Sequence, residues 1–402
     1  MTSTKANSIK SVHSNFLIYN DLNSIPDNLK SELNLGSLMM SENYFKALEA
    51  SSIPGMSFRY IFLHQDNHLK GFYYFQIINL ASKELGKIIH LDPYSKTLNH
   101  FTGVINAILF GAKKEKPHYL LIAGNMIMSG EFGILNIEKD KIVFEHLNNA
   151  VKDVTLALEK NGKVVSTIIK DFSNETDQVK EPLLTKSYSL LVMDPIMKME
   201  LQDDWKIFPD YLEALSAKYR LRYNNARKKI ESLTIKDLSF EEILSQQNSI
   251  DPLYKAVQHK SPIQLVKFDC NYLLEMSQNL GDNFKFRGYY LDGKMIAFLC
   301  GIKTNDQYEA HHIGIDYQYN RSHSLYLNIL YEFIGLAIET KSKNISFGRT
   351  AMEMKTTVGA RPVSYNAYIK LNNYMLNCLV KNFLPSEAMD NWTARNPFKD
   401  SK

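Results

Sequence analysis

Residues 284–316 read FKFRGYYLDGKMIAFLCGIKTNDQYEAHHIGID, and the rest of the chain is best read outward from here. Apolar and aromatic residues crowd positions 284–291 and 295–304 on either side of Asp292-Gly293, a dipeptide suited to a tight hairpin turn. A third strand is expected over 308–316. Beyond it, 324–340 repeats apolar residues at helical spacing, 344–347 is a short strand and 363–371 is the last strand. On the N-terminal side, Tyr211, Leu212, Leu215, Tyr219, Tyr223, Ala226, Ile230 and Leu233 recur every three or four residues. They predict one long amphipathic helix, followed by a second helical region over 239–257.

The first half carries the same order. Residues 58–78 form two strand-like runs around the polar turn Gln65-Asp66-Asn67-His68. Helical patterns follow over 95–111 and 144–158, with strands over 119–123, 164–172 and 188–193. The run 194–209, with Pro195 and Pro209, reads as a link. The expectation is an α/β (α+β) protein with two tandem domains, 1–195 and 196–402, each a mixed central sheet flanked by helices. The duplication is inferred from element order, since the halves share no visible sequence identity.

A chain of 402 residues is long for one domain, and 45% hydrophobic with 22% charged residues is ordinary globular composition. A net charge of +4 does not by itself mark a nucleic-acid protein, so local clustering has to decide that question. Cys270, Cys300 and Cys378 have no metal-type spacing and read as reduced core residues. No metal is expected. The apolar runs 101–112 and 325–338 are too short or too interrupted to span a bilayer. A cytoplasmic protein is expected, with peripheral attachment at an inner membrane as an option.

Several clusters carry candidate chemistry. Residues 314–325 join a strand to a helix, whose N-terminus offers free N–H groups and a positive dipole end to an anion. Arg321 and His323 add charge and donors there, while Ser322 and Ser324 either cap the helix or contact phosphate. His311 and His312 sit on one strand, so their side chains should point to opposite faces, with Glu309 on the face of His311. Glu309 could then tune His311 as a base, or His311 could be a satisfied core histidine. Residues 218–229 hold six basic residues in twelve, interleaved with tyrosines, which is either a solvated helix face or a phosphate-binding one. Residues 344–362 follow a strand with Gly348, Arg349, Thr350, Glu353, Lys355 and Gly359, at a sheet edge of the kind that carries ligands in open α/β sheets. The alternative there is an exposed connection in which Arg349 pairs with Glu353.

With these pieces assembled, the chain resembles the GNAT acyltransferase superfamily, in its Fem-like branch of two tandem GNAT-type domains, over about residues 40–380. The resemblance rests on the element order and on three patterns in the second half: Leu215 to Arg220 continuing to Ala226-Arg-Lys, the loop from Gly314 to Leu325, and Phe347-Gly-Arg-Thr350 with Glu353, Lys355 and Gly359-Ala-Arg-Pro362. In the first half, residues 123–133 (AGNMIMSGEFG) are similar to a pattern of such double-domain proteins.

The resemblance implies acyl transfer from a thioester, acyl-CoA or acyl-ACP as co-substrate, to an amine of a small metabolite, a lipid precursor or an envelope component. It implies Glu309 or His311 as base, with Arg349 and Glu353 also catalytic. Donor contacts are expected from Gly314, Ile315, Asp316, Asn320, Arg321, Ser322, His323 and Ser324, and substrate contacts from Tyr219, Arg220, Arg227, Thr350 and Lys355. Ordinary GNAT enzymes carry a glycine-rich loop where residues 318–324 have no glycine. Fem-type relatives, which use aminoacyl-tRNA, also lack a strict version of it. Transfer from a charged tRNA to an envelope precursor is therefore the alternative, and a double domain that binds a ligand without catalysis is a third reading, with the first half as its degenerate part.

Overall fold

The computed structural model describes residues 8–9, 15–33, 36–66, 68–80, 116–137, 142–173, 180–260, 266–380, 384 and 392–399. The helix expected over 95–111 lies outside them. The chain divides into two compact units between Asp194 and Pro195, with residues 364–380 returning to the first unit and 392–399 belonging to the second.

In the first unit β1 (Ser8–Ile9), β2 (Phe16–Tyr19), β3 (Met56–Gln65), β4 (His68–Asn79), β5 (His118–Ala123), β6 (Ile134–Asn136), β7 (Lys163–Ser173) and β8 (Ser189–Val192) are strands. The second unit contains β9 (Ile196–Glu200), β10 (Thr234–Asp237), β11 (Phe284–Leu291), β12 (Lys294–Lys303), β13 (Gln307–Ile315), β14 (Asn344–Ser346) and β15 (Arg361–Val363), and β16 (Tyr365–Leu371) belongs to the first. The first sheet runs β1-β2-β3-β4-β5-β7-β16-β8, with β6 beside β4; the second runs β10-β11-β12-β13-β14-β9-β15.

The two sheets repeat one plan. A hairpin (β3–β4; β11–β12) is followed by an antiparallel third strand (β5; β13), and the strand after it pairs in parallel (β7; β14). A parallel partner needs a crossover helix, and here it is Ile142–Glu159 in the first unit and Leu325–Glu339 in the second. Each crossover helix packs its apolar stripe on its own sheet. Leu147, Val151 and Val154 meet Ile61, Phe75 and Leu121 in the first, and Ile329, Phe333 and Ala337 meet Leu299, Tyr308 and Ile345 in the second. Burying each such side chain contributes about 1.5–3 kcal/mol.

Four sequence expectations change. The long helix over 211–233 breaks into Phe208–Ala214 and Ala217–Lys228, because Leu215 is extended and bridges to Phe398. The supposed link 194–209 holds β9, whose Ile196, Met197 and Met199 are buried. The helical region 239–257 is two helices, Phe240–Ser245 capped by Ser239, and Gln247–Gln258. The last strand, expected to close the second half's sheet, is β16 and pairs with β7 and β8 of the first unit, burying Ala367, Tyr368 and Ile369. Alternating apolar residues determine that a strand forms, and long-range packing chooses its sheet.

Candidate functional site

The second sheet has one interruption that matters for chemistry. β13 and β14 pair only through Gln307–Asn344, Tyr308–Ile345 and Glu309–Ser346. Beyond Glu309, β13 keeps its partner β12 on one side, while Phe347 turns away and donates its N–H to Met197 of β9 at 2.8 Å. From Ala310 to Ile315, β13 has no strand partner on its β14 side among the described residues. Backbone groups there are left for another partner.

Glu309 stands where the strands part. Tyr308 and Ile345 join the core under the crossover helix, so the alternating positions Glu309, Ser346 and Lys198 share the opposite face in one cross-strand row. Glu309 is 3% exposed and accepts a short hydrogen bond from the Gln307 amide. Burial pushes its carboxyl up to about 7, against the lowering pull of Gln307, Ser346 and Lys198. A carboxylate tuned near neutrality is suited to proton transfer.

The two histidines do not point to opposite faces. Cys300 pairs with His312 and Gly301 with Ala310, so His311 is the extra residue of a β-bulge. The bulge resets the alternation and brings the two rings within 4.1 Å, among Tyr254, Phe268 and Tyr272. The Tyr272 hydroxyl and His311 Nε2 share a hydrogen bond of 2.6 Å. Burial, then His312, holds the His311 pKa well below the ordinary value, and burial takes His312 down to about 3. Glu309 bonds with Gln307 rather than tuning His311.

The loop expected to cradle phosphate is occupied by its own side chains. A short helix, Tyr317–His323, precedes the crossover helix, and Asp316 caps it by accepting from the Gln318 N–H at 3.2 Å. Asp316 also takes Lys294 at 3.4 Å. Asn320 Oδ1 accepts from the N–H of Tyr326 at 3.0 Å, in the first turn of the crossover helix. Ser324 adopts a left-handed conformation, φ 49°, and its hydroxyl takes Lys229 Nζ at 3.2 Å. Ser322 donates to the Tyr319 carbonyl and lies 2.9 Å from His323 Nδ1. Arg321 is exposed, and Ile315 is a core residue at 1% exposure. A Cβ at Gly314 would stand 2.0 Å from the Phe298 ring, so this glycine serves strand packing. We expect Gly314→Ala to cost about 1–3 kcal/mol of stability in urea denaturation.

The substrate contacts expected on the basic helix belong largely to the scaffold. Tyr219 is buried in the core. Arg220 donates to the carbonyls of Glu213 and Leu215, and Arg227 pairs with Glu332, which also holds Arg287. Lys218, Lys228 and Lys229 are the exposed cations of the run.

Beyond β14 the backbone is bent through positive φ at Gly348 (66°), Thr350 (69°) and Ala351 (46°). A β-branched residue there is strained, and such strain concentrates at functional loops. Lys355 does not face substrate as the sequence predicts. It is 4% exposed, and its ammonium donates to the carbonyls of Phe347 (2.6 Å), Gly348 (3.3 Å) and Arg349 (2.6 Å). Burial pulls its pKa down to about 7, and the carbonyls act in the opposite sense by accepting from the charged form. Glu353 pairs with Arg395 at 2.8 Å. Arg349 is half-buried beside the exposed Thr350.

Sequence reasoning misses Lys198, Gln307, Ser346 and Tyr272. Ser346 directly precedes the Phe347-Gly-Arg-Thr pattern, and Lys198 sits in the alternating Ile196–Glu200, so both carry a signal. Tyr272 meets His311 only through tertiary packing. Among the described residues no group of three His, Cys, Asp or Glu side chains could hold a metal ion, and no helix is long and apolar enough to cross a membrane.

Residues 217–356 match the model of an acetyltransferase (GNAT) domain. The crystal structure of FemX superposes with a TM-score of 0.55 at 11% identity, over 88% of this chain and 98% of that one. A tandem GNAT protein from the clavulanic acid biosynthesis pathway gives 0.45 at 9% identity, over 82% and 87% of the two chains. The C-terminal domain of a putative lysylphosphatidylglycerol synthetase from Agrobacterium fabrum gives 0.42 at 11% identity, over 65% and 80%. No curated protein matches the chain in sequence.

Proposed function

We propose that the protein transfers an acyl group from an activated donor to an amine where β13 and β14 part, a reading supported by the match of residues 217–356 to a GNAT acetyltransferase model and by the fold shared with FemX. The observation that carries this reading is the buried carboxyl of Glu309, raised to about 7 at that point. Glu309 would take a proton from the acceptor amine as its nitrogen bonds to the acyl carbon, and the N–H groups of β13 would stabilise the developing oxyanion. Collapse of that intermediate would break the acyl–donor bond and release the donor's thiol or hydroxyl, which takes the proton back from Glu309. Of the two expected bases Glu309 fits better, because His311 is held neutral by burial and is a weak proton acceptor. Arg349 would bind the acceptor from the strained loop. Changing Arg349→Ala should lower turnover about 10²-fold, and full activity in that variant would remove the loop from the site.

The donor is proposed to be an acyl thioester, of coenzyme A or of an acyl carrier protein. A second reading, an aminoacyl-tRNA donor, is favoured by two observations. Asp316 and Asn320 already fill N–H positions that a pyrophosphate would use, and Lys218, Lys228 and Lys229 face outward. RNA binding would weaken steeply with salt. Thermal unfolding with acyl-CoA and, separately, with charged tRNA separates the readings. A donor at 100 times its Kd should add about 2.7 kcal/mol, and stabilisation by neither would leave a binding protein without this chemistry.

We assign the transfer to the second unit. In the first, β5 and β7 stay paired to the end of β5, at Ala123–Ile169. The following loop is filled by Lys170, which donates to the carbonyls of Asn125 (2.6 Å) and Met128 (2.9 Å), and by Asp171, which accepts from the Gly130 N–H at 3.0 Å.

A further inference from the structure

We propose that the first unit holds a binding site for a small phosphate monoester, in the cavity between its crossover helix Ile142–Glu159 and strands β7 and β16. The cavity measures about 280 Å³ and is lined by Asn148, Lys152, Thr167, Tyr188 and Lys370, with no carboxylate in its wall. Such a volume suits a small ligand.

Two observations point to an anion. Two cations line the wall, Lys152 and Lys370: Lys370 reaches over the Tyr188 ring at 5.4 Å, donates to the Lys186 carbonyl at 3.0 Å, and feels the charges of Lys152 and Lys186. Burial comes first and the two neighbouring lysines next in lowering its pKa, and a bound anion would relieve both. Independently, Asn148 (8% exposed), Thr167 (2%) and Tyr188 (2%) are buried polar side chains on the wall, and none has a hydrogen-bond partner among the described residues. These side chains give the wall donors and acceptors that no other described residue takes up. A tetrahedral dianion supplies acceptors for the amide, the two hydroxyls and the ammonium groups together. A carboxylate carries one charge and two oxygens, which leaves this set underused. Lysines recognise phosphate as point charges.

The test is isothermal titration calorimetry of the full chain with inorganic phosphate and with glycerol phosphate, against acetate at matched ionic strength. Saturable binding of both phosphates is expected, weakened at least tenfold by Lys152→Gln, whose side chain is exposed and not needed for folding, and by Thr167→Val. Any of three results overturns the proposal: no phosphate binding in the unaltered protein, unchanged binding in Lys152→Gln, or acetate bound as tightly as phosphate.

Discussion

Replacing Glu309 by Gln is expected to lower acyl transfer about 10²–10⁴-fold while making the protein more stable above neutral pH. Both effects come from the same burial. The carboxyl sits at about 7 in the folded protein against an ordinary value of 4.5. Between those values the folded state binds a proton that the unfolded state has released. The resulting stabilisation is complete below about pH 4.5 and is lost as pH rises through 7. A gap of this size amounts to about 3 kcal/mol at its limit. The substituted amide would keep an acceptor for Gln307 and carry no charge to desolvate. In urea denaturation the variant should match the parent near pH 4.5 and exceed it at pH 8. Equal stability at pH 8 would show that Glu309 is not held in its neutral form by burial. An active variant would remove it as the base.

Lys355→Met should be the most damaging substitution to the fold around the site. It leaves the carbonyls of Phe347, Gly348 and Arg349 without their donor, in a segment already bent through positive φ at Gly348, Thr350 and Ala351. Unsatisfied buried acceptors cost about 1–3 kcal/mol each and are not additive, so about 3 kcal/mol of stability should be lost, read by chemical denaturation. Turnover should fall with it, since the same loop carries Arg349. A variant of unchanged stability would mean that the ammonium does not hold the loop.

Much of this is legible in the sequence, and the reasons are local. The hairpin at Asp292-Gly293, the two strand-like runs of 58–78 around their polar turn and the helical period of 144–158 each specify an element within a few residues, and the structure forms all three. Glu309 stands out by its place beside the histidines, and the structure gives it a different partner. The bulge at His311 shifts alternation by one residue, and bulges have no signature in a strand of this composition. The return of 365–371 to the first sheet and the break at Leu215 both depend on chain segments more than a hundred residues away. Lys355 looks like a ligand group because a buried lysine on three carbonyls and a lysine in a cleft read alike in one dimension.

Hydrogen exchange over residues 310–315 is the decisive measurement. With acyl-CoA bound, or with charged tRNA if that is the donor, amides of this segment should exchange more slowly, while those of β5 in the first unit stay unchanged. A donor that binds and leaves 310–315 unaffected would contradict the placement of acyl transfer where β13 and β14 part.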